Sequence, residues 1–322
     1  MKKKYVLLVF VLLILLLGFS YRSRIKKEYE NLNLIVRAHS VFQLRFANAE
    51  SQKVYFYSDS LRIVGDFFGS SSEGPSPCIL ILHGTHVLGR KQPIILSVAK
   101  EFQKLGYSVL SIDFRGYNES QDPLYIKSIH DLDFAQDVIS AIDFLHTMSS
   151  IDKNRIYILG HSFGAGVALS TIGREERVKR YILFGAPRRV RERILNPSSP
   201  DRKMLLNKNI GNMKLGYEVD STIALKSIET RDIEKYVNTI SSPTHRNRYL
   251  LIDGETEDPK DLKFYKDIAN QIGKNSEYFT IKCSDHYLNT GFFMQREAYD
   301  IEIVTDFVSK IHQWLLRKNS MD

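Results

Sequence analysis

"RIYILGHSFGAGVAL", residues 155–169, is an apolar run that stops at Gly160-His161-Ser162-Phe163-Gly164 before small residues resume at near-helical spacing, Gly164, Ala165 and Ala168. The first half is continuously apolar, as a strand buried on both faces must be. The second half has helical periodicity. A serine between two glycines at that junction stands on a sharp turn. Glycine has no Cβ, so neighbouring backbone can approach closely, and the strained turn presents the hydroxyl at the carboxyl end of the sheet, where open α/β sheets place their ligands. The helix that starts behind it offers N–H groups and the positive end of its dipole to a developing anion.

The same alternation extends outward in both directions. "CILILHG" (78–84), "SVLSIDFRG" (108–116), "RYILFGAP" (180–187), "RYLLIDG" (248–254) and "SEYFTIKC" (276–283) read as strands. "IILSVAKEFQKLGY" (94–107), "DFAQDVISAIDFLHTM" (133–148), "DLKFYKDIANQIG" (261–273) and "DIEIVTDFVSKIHQWLL" (300–316) read as amphipathic helices. Repeated strand–helix units with apolar strands predict a mostly parallel sheet covered on both faces. Ahead of them, "KVYFYSDSLRIVGDFFG" (53–69) holds two β-rich runs around Ser58-Asp59-Ser60, a hairpin. From about 188 to 247 the rhythm breaks. This segment is polar and rich in Arg and Lys, contains Pro197, Pro200 and Pro243, and reads as a helical cap inserted over one end of the sheet.

A serine hydroxyl needs a base, and the base needs a carboxylate to orient it. Gly160-x-Ser162-x-Gly164 between strand and helix, His83-Gly84 after a strand, and "SIDFRGYNES" with Asp113, Arg115, Gly116 and Ser120 together resemble the α/β-hydrolase superfamily, in consistent order from about Lys53 to Leu316. The resemblance implies the order serine, acid, histidine. It makes Ser162 the nucleophile and His286, in "KCSDHYLNT" just past the last apolar strand, the base. Among the acids after "RYLLID" it favours Asp258, with Asp253 and Glu257 as competitors. Asp285 reads as a loop residue, and His245 and His312 as structural or surface residues. The resemblance gives the oxyanion hole to the N–H groups of Phe163 and Thr85. It leaves His83, Gly84, Gly160, Gly164 and His161, and also His86, as supporting residues. Acyl-enzyme chemistry on an ester, thioester or lipid acyl bond follows, with no cofactor and no metal. Acyl transfer or small-peptide hydrolysis uses the same residues, and a non-catalytic, membrane-anchored binding relative is the alternative of another class.

The 322 residues carry 45 Lys and Arg against 37 Asp and Glu, a net charge of +8, scattered without a zinc-finger, RNP or basic-helix pattern, so charge gives no argument for a nucleic-acid partner. Cys78 and Cys283 have no metal-ligand spacing and read as small buried hydrophobes in strands. Arg188, Arg189, Arg191 and Arg193 open the insertion, either as an anion site or as a solvated helix face. At the amino terminus Lys2, Lys3 and Lys4 precede "YVLLVFVLLILLLGF" (5–19), uniformly apolar and therefore unlike a soluble helix. With Lys4 and Arg22 snorkelling it approaches the ~20 residues a span needs. The expectation is a signal anchor or signal peptide over 1–20, a stalk over 21–52, and a hydrolase domain over 53–322. We read the anchor as retained, with the domain outside the cytoplasm and a small acyl or lipid substrate as partner.

Overall fold

A computed structural model of the chain describes residues 51–211, 213, 219–290 and 301–317. The proposed anchor and stalk lie outside the described residues, apart from the last two stalk positions.

Eight strands form one sheet: β1 (Gln52–Ser58), β2 (Leu61–Phe68), β3 (Ser76–Leu82), β4 (Ser108–Ile112), β5 (Ile151–His161), β6 (Arg180–Phe184), β7 (Arg248–Gly254) and β8 (Ser276–Ile281). Their spatial order is β1-β2-β4-β3-β5-β6-β7-β8. β1 pairs antiparallel with β2, and β2 antiparallel with β4; every other pair is parallel. The β1–β2 turn is the two residues Asp59 and Ser60, both at positive φ (47° and 69°), the geometry whose twist matches that of the flanking strands.

The helices are α1 (Pro93–Lys104), α2 (Phe134–Thr147), α3 (Phe163–Ser170), α4 (Arg202–Gly211), α5 (Ser221–Glu229), α6 (Val237–Ser241), α7 (Pro259–Ile272) and α8 (Ile301–Leu316). Strand residues alternate between the two faces because their side chains do. In β3, Cys78, Leu80 and Leu82 belong to the core shared with α2, α3 and α7, while Ile79 and Ile81 belong to the one shared with α1 and α8. Both faces are apolar, which is why these strands read as unbroken hydrophobic runs. Between β6 and β7 the chain makes a π-helical turn (Arg191–Leu195), then α4, α5 and α6. This inserted segment has a small core of its own, in which Val190, Ile194 and Ile228 are buried against Leu195, Leu206 and Leu225.

The loop after β4 is fixed by two buried ion pairs. Asp113 accepts from the Arg90 backbone N–H at 2.7 Å and pairs with the Arg90 guanidinium. Arg115 donates to Asp137 from Nε at 2.9 Å and from Nη2 at 2.7 Å, and reaches Asp59 and Ser58 at the hairpin. Ser120 Oγ donates to the Asp113 carbonyl at 2.7 Å and accepts from the Val64 N–H, tying the loop to β2. Deleting Arg115 would leave Asp137, which has no solvent exposure, as an uncompensated charge. Arg115→Ala is therefore expected to destabilise the fold by about 3–5 kcal/mol, measured by urea or thermal unfolding. A loss of under about 1 kcal/mol, the scale of an exposed pair, would contradict this placement.

Cys78 is buried in β3 as expected, but Cys283 is exposed. β8 ends at Ile281, and Cys283 belongs to the loop beyond it, at φ 55°. The apolar run is shorter than the sequence pattern suggests.

Candidate active site

Ser162 stands between β5 and α3 at φ 53°, ψ −115°, a conformation a non-glycine residue adopts only when its surroundings impose it. The surroundings are visible. A Cβ on Gly160 would lie 2.5 Å from the Ala165 nitrogen, and one on Gly164 would lie 2.3 Å from the Leu82 carbonyl oxygen. Only glycine at both places lets α3 turn back this tightly over β5 and β3. The Ser162 N–H donates to the Phe184 carbonyl at 2.8 Å, pinning the turn to β6. Phe163 is the first residue of α3, so its N–H has no intrahelical acceptor.

The loop after β8 brings His286 to the same end of the sheet. Asp285 organises it, its Oδ1 accepting from the N–H groups of Tyr287 and Asn289, both at 2.8 Å. Thr256, in the loop after β7, clamps the two loops together by donating twice to the Ser284 carbonyl, from N at 3.0 Å and from Oγ1 at 2.9 Å. The His286 ring lies against Gly185, where a Cβ would stand 2.6 Å from Cε1. His161 donates from Nε2 to the His286 carbonyl at 2.8 Å. Burial and the neighbouring His286 pull His161 down to about 3, so its ring is neutral and serves as a fixed support.

The carboxylate on His286 is Glu257. Its Oε1 meets His286 Nδ1 at 2.8 Å, and its Oε2 takes Arg188 Nη1 at 2.8 Å. Burial works against its ionisation, but the His286 and Arg188 hydrogen bonds outweigh burial and hold the carboxyl down at about 2. Asp258, the acid favoured from sequence, is turned away. It is the N-cap of α7, its carboxylate accepting from the Lys260 N–H at 2.8 Å, with Pro259 at the first helical position. Asp253 does not reach His286 either. It is buried under the site, paired with Arg188 Nη2 at 2.5 Å. An Asp followed by Pro at the start of an amphipathic helix is a capping signature, and that signal could have moved the assignment one residue back to Glu257.

Of the four arginines, Arg191 is exposed on the π-helical turn, as a solvated face would have it, while Arg188, Arg189 and Arg193 are half-buried. Each is held by an acid: Arg188 by Asp253 and Glu257, Arg189 by Asp261, Arg191 by Asp232, and Arg193 by Asp201. His83 is locked by both ring nitrogens, Nδ1 donating to the Gly84 carbonyl at 2.7 Å and Nε2 accepting from the Phe114 N–H at 3.3 Å, so it shapes its loop. His245 bonds the Tyr249 hydroxyl and His312 the Tyr107 hydroxyl, both away from the serine. A cavity of about 420 Å³ opens over the site, and Gly84, Thr85, Ser162, Phe163 and His286 border it. The inserted segment supplies the facing wall, with Ile194, Met204 and Leu205 on the cavity. Leu195 and Leu206 belong to that segment's own core, and Met213 is buried against Gly116.

The model of the family described as serine aminopeptidase, S33, matches residues 74–274, more than half of the chain. The chain belongs to this hydrolase family. Among curated proteins, the quorum-quenching protein AidA of Acinetobacter baumannii is 28% identical over 130 residues, covering 40% of this chain and 41% of that one. The lysophosphatidylserine lipase ABHD12 of Bos taurus is 29% identical over 136 residues, 42% of this chain and 29% of that one. The chain thus spans less than half the length of these curated relatives. Among solved structures, Est1E of Butyrivibrio proteoclasticus with ferulic acid bound superposes at a TM-score of 0.57, with 14% identity, over 82% of this chain and 100% of that one. The α/β hydrolase GrgF of Penicillium gives 0.58, with 17% identity, over 83% and 98%. These likenesses place the serine aminopeptidase family member in the α/β-hydrolase fold.

Proposed function

We propose that the protein is a serine hydrolase of acyl esters, with Ser162 as nucleophile, His286 as general base and then acid, and Glu257 as the carboxylate that orients the imidazole. The observation that carries this reading is the Glu257–His286 hydrogen bond at 2.8 Å on the cavity that Ser162 borders. With Nδ1 bound to a carboxylate, the imidazole carries its proton there and keeps Nε2 as the basic nitrogen. Ser162 Oγ attacks the acyl carbon as Nε2 takes its proton. The N–H groups of Phe163 and Thr85 receive the tetrahedral oxyanion, helped by the positive end of α3. His286 returns the proton to the departing alcohol, and a water activated by the same nitrogen releases the acid. Asp258 has no part in this scheme.

The ester substrate is favoured by the apolar wall that Ile194, Met204 and Leu205 give the cavity and by the apolar amino-terminal run, which would keep the enzyme at a lipid surface. Labelling by a fluorophosphonate probe, together with a p-nitrophenyl ester series of increasing acyl length, tests the reading. Labelling at Ser162 with turnover of at least one ester is expected, and no labelling of folded protein would overturn it.

We also propose that residues 5–19 are a retained anchor and that the hydrolase domain lies outside the cytoplasm. A basic head before an apolar run has the form of an export signal, and long domains cross largely regardless of charge. A C-terminal alkaline phosphatase fusion is expected to be active and a cytoplasmic reporter fusion silent. The reverse pattern, or release of a shortened chain, would refute the retained, outward-facing anchor.

A further inference from the structure

Arg231, two residues past the end of α5, is 5% exposed. Unlike the paired arginines at the start of the insertion, it has no carboxylate partner among the described residues. Its Nε donates to the Ser227 carbonyl at 3.1 Å, and its guanidinium lies over the rings of Phe163 (4.5 Å) and Phe134 (5.6 Å). Burial draws its pKa down to about 10, so it stays cationic at neutral pH, with no counter-charge on it among the described residues. An isolated buried cation is costly, and a fold that keeps one has placed it beside something that compensates. What it borders is the cavity of Ser162.

The nucleophile helix is shaped around this side chain. A Cβ on Gly166 of α3 would stand 2.9 Å from Arg231 Cβ and 3.0 Å from Pro187 Cγ, so the arginine stem crosses where the helix has no side chain. The ring beneath the guanidinium belongs to Phe163, the residue directly after the serine. With Nε taken by the Ser227 carbonyl, the two terminal nitrogens have no hydrogen-bond partner among the described residues and are left for another group. The two carboxylates on the cavity do not take that place: Glu257 is bound to Arg188, and Asp261 to Arg189.

We propose that Arg231 binds an anionic group, a carboxylate or a phosphate, that the substrate carries close to its scissile acyl bond. This rests on the hydrolase reading above and narrows it from acyl esters to anionic acyl esters. A fork of two N–H donors in a site shielded from water suits either oxyanion.

The test compares matched substrates with the full-length chain in detergent. One pair is p-nitrophenyl butyrate and mono-p-nitrophenyl succinate, in which the anion is a carboxylate on the acyl side. The other is a monoacylglycerol and the lysophosphatidate of the same chain, in which the anion is a phosphate on the alcohol side. The protein is expected to favour the anionic member of one pair by about 10-fold or more in kcat/KM, the scale of a charged hydrogen bond, and the responding pair identifies the anion. Arg231→Met should abolish that preference, and Arg231→Lys should restore part of it. Equal rates within both pairs, or a preference that survives in Arg231→Met, would overturn the proposal. If Arg231→Met does not fold, the wild-type comparison decides, with competition by inorganic phosphate against chloride at equal ionic strength. Hydrolysis without anion preference refutes the role of Arg231 alone, whereas absence of hydrolysis of all four substrates by folded protein that also fails to take the fluorophosphonate probe refutes the hydrolase reading itself.

Discussion

Ser162→Ala is expected to eliminate fluorophosphonate labelling and to lower ester turnover by about 10⁶-fold, since members of such a triad act as a unit and removing the nucleophile removes nearly all that the unit supplies. The fold should remain. Alanine keeps the Cβ that the serine already holds at φ 53°, so no new strain is introduced. The backbone anchors of the turn, the 162 N–H to the Phe184 carbonyl at 2.8 Å and the Ala165 N–H to the 162 carbonyl at 3.0 Å, do not involve the hydroxyl. Inactive protein with the parent melting temperature is therefore the expected pair of results. Substantial turnover in this variant would remove Ser162 from the mechanism and with it the assignment of the cavity.

The strained turn at Ser162 was legible because its surroundings are backbone problems, and these leave marks in sequence. Gly160 and Gly164 are required where α3 passes within 2.5 Å of a would-be Cβ on β5 and meets the Leu82 carbonyl. The alternation of buried runs and amphipathic helices was legible for the same reason: a two-faced parallel sheet leaves no polar position from Cys78 to Leu82 in β3 or from Leu250 to Ile252 in β7. Which carboxylate meets His286 was harder to read. Asp253, Glu257 and Asp258 lie within six residues, and the choice between them depends on which way a loop faces, which residue type does not report. The loop direction is set from elsewhere, by Thr256 bonding the Ser284 carbonyl and by Arg188 arriving from the segment after β6. The cap arginines show the same limit. Their partners Asp201, Asp232, Asp253, Glu257 and Asp261 are distributed over three segments, so a run of arginines in one loop could not reveal that all four are neutralised. Arg231 gave no signal at all, because its peculiarity is the lack of a carboxylate partner among the described residues.

Glu257→Gln is expected to lower kcat by about 10⁴-fold, with Asp258→Ala retaining activity and losing about 1 kcal/mol of stability. The first magnitude follows from tautomer control. An amide at position 257 can offer its N–H₂ to Nδ1, which then holds the imidazole with the proton on Nε2, the nitrogen that must accept from the serine; the best-studied triad loses about that factor by this change. The second follows from capping, since the Asp258 carboxylate satisfies only the Lys260 N–H at the start of α7. Loss of the Glu257 carboxylate also has a signature in acid. The Glu257 carboxyl is held at about 2 in the folded chain against an ordinary value of 4.5. A depressed carboxyl contributes stability that is complete above about pH 4.5 and is lost as pH falls through about 2. Glu257→Gln should therefore flatten the stability profile across that window. Steady-state kinetics on a p-nitrophenyl ester and unfolding midpoints between pH 2 and 6 check both. If Asp258→Ala proves the inactive variant while Glu257→Gln turns over normally, the carboxylate seen on His286 Nδ1 is not the one that works in catalysis.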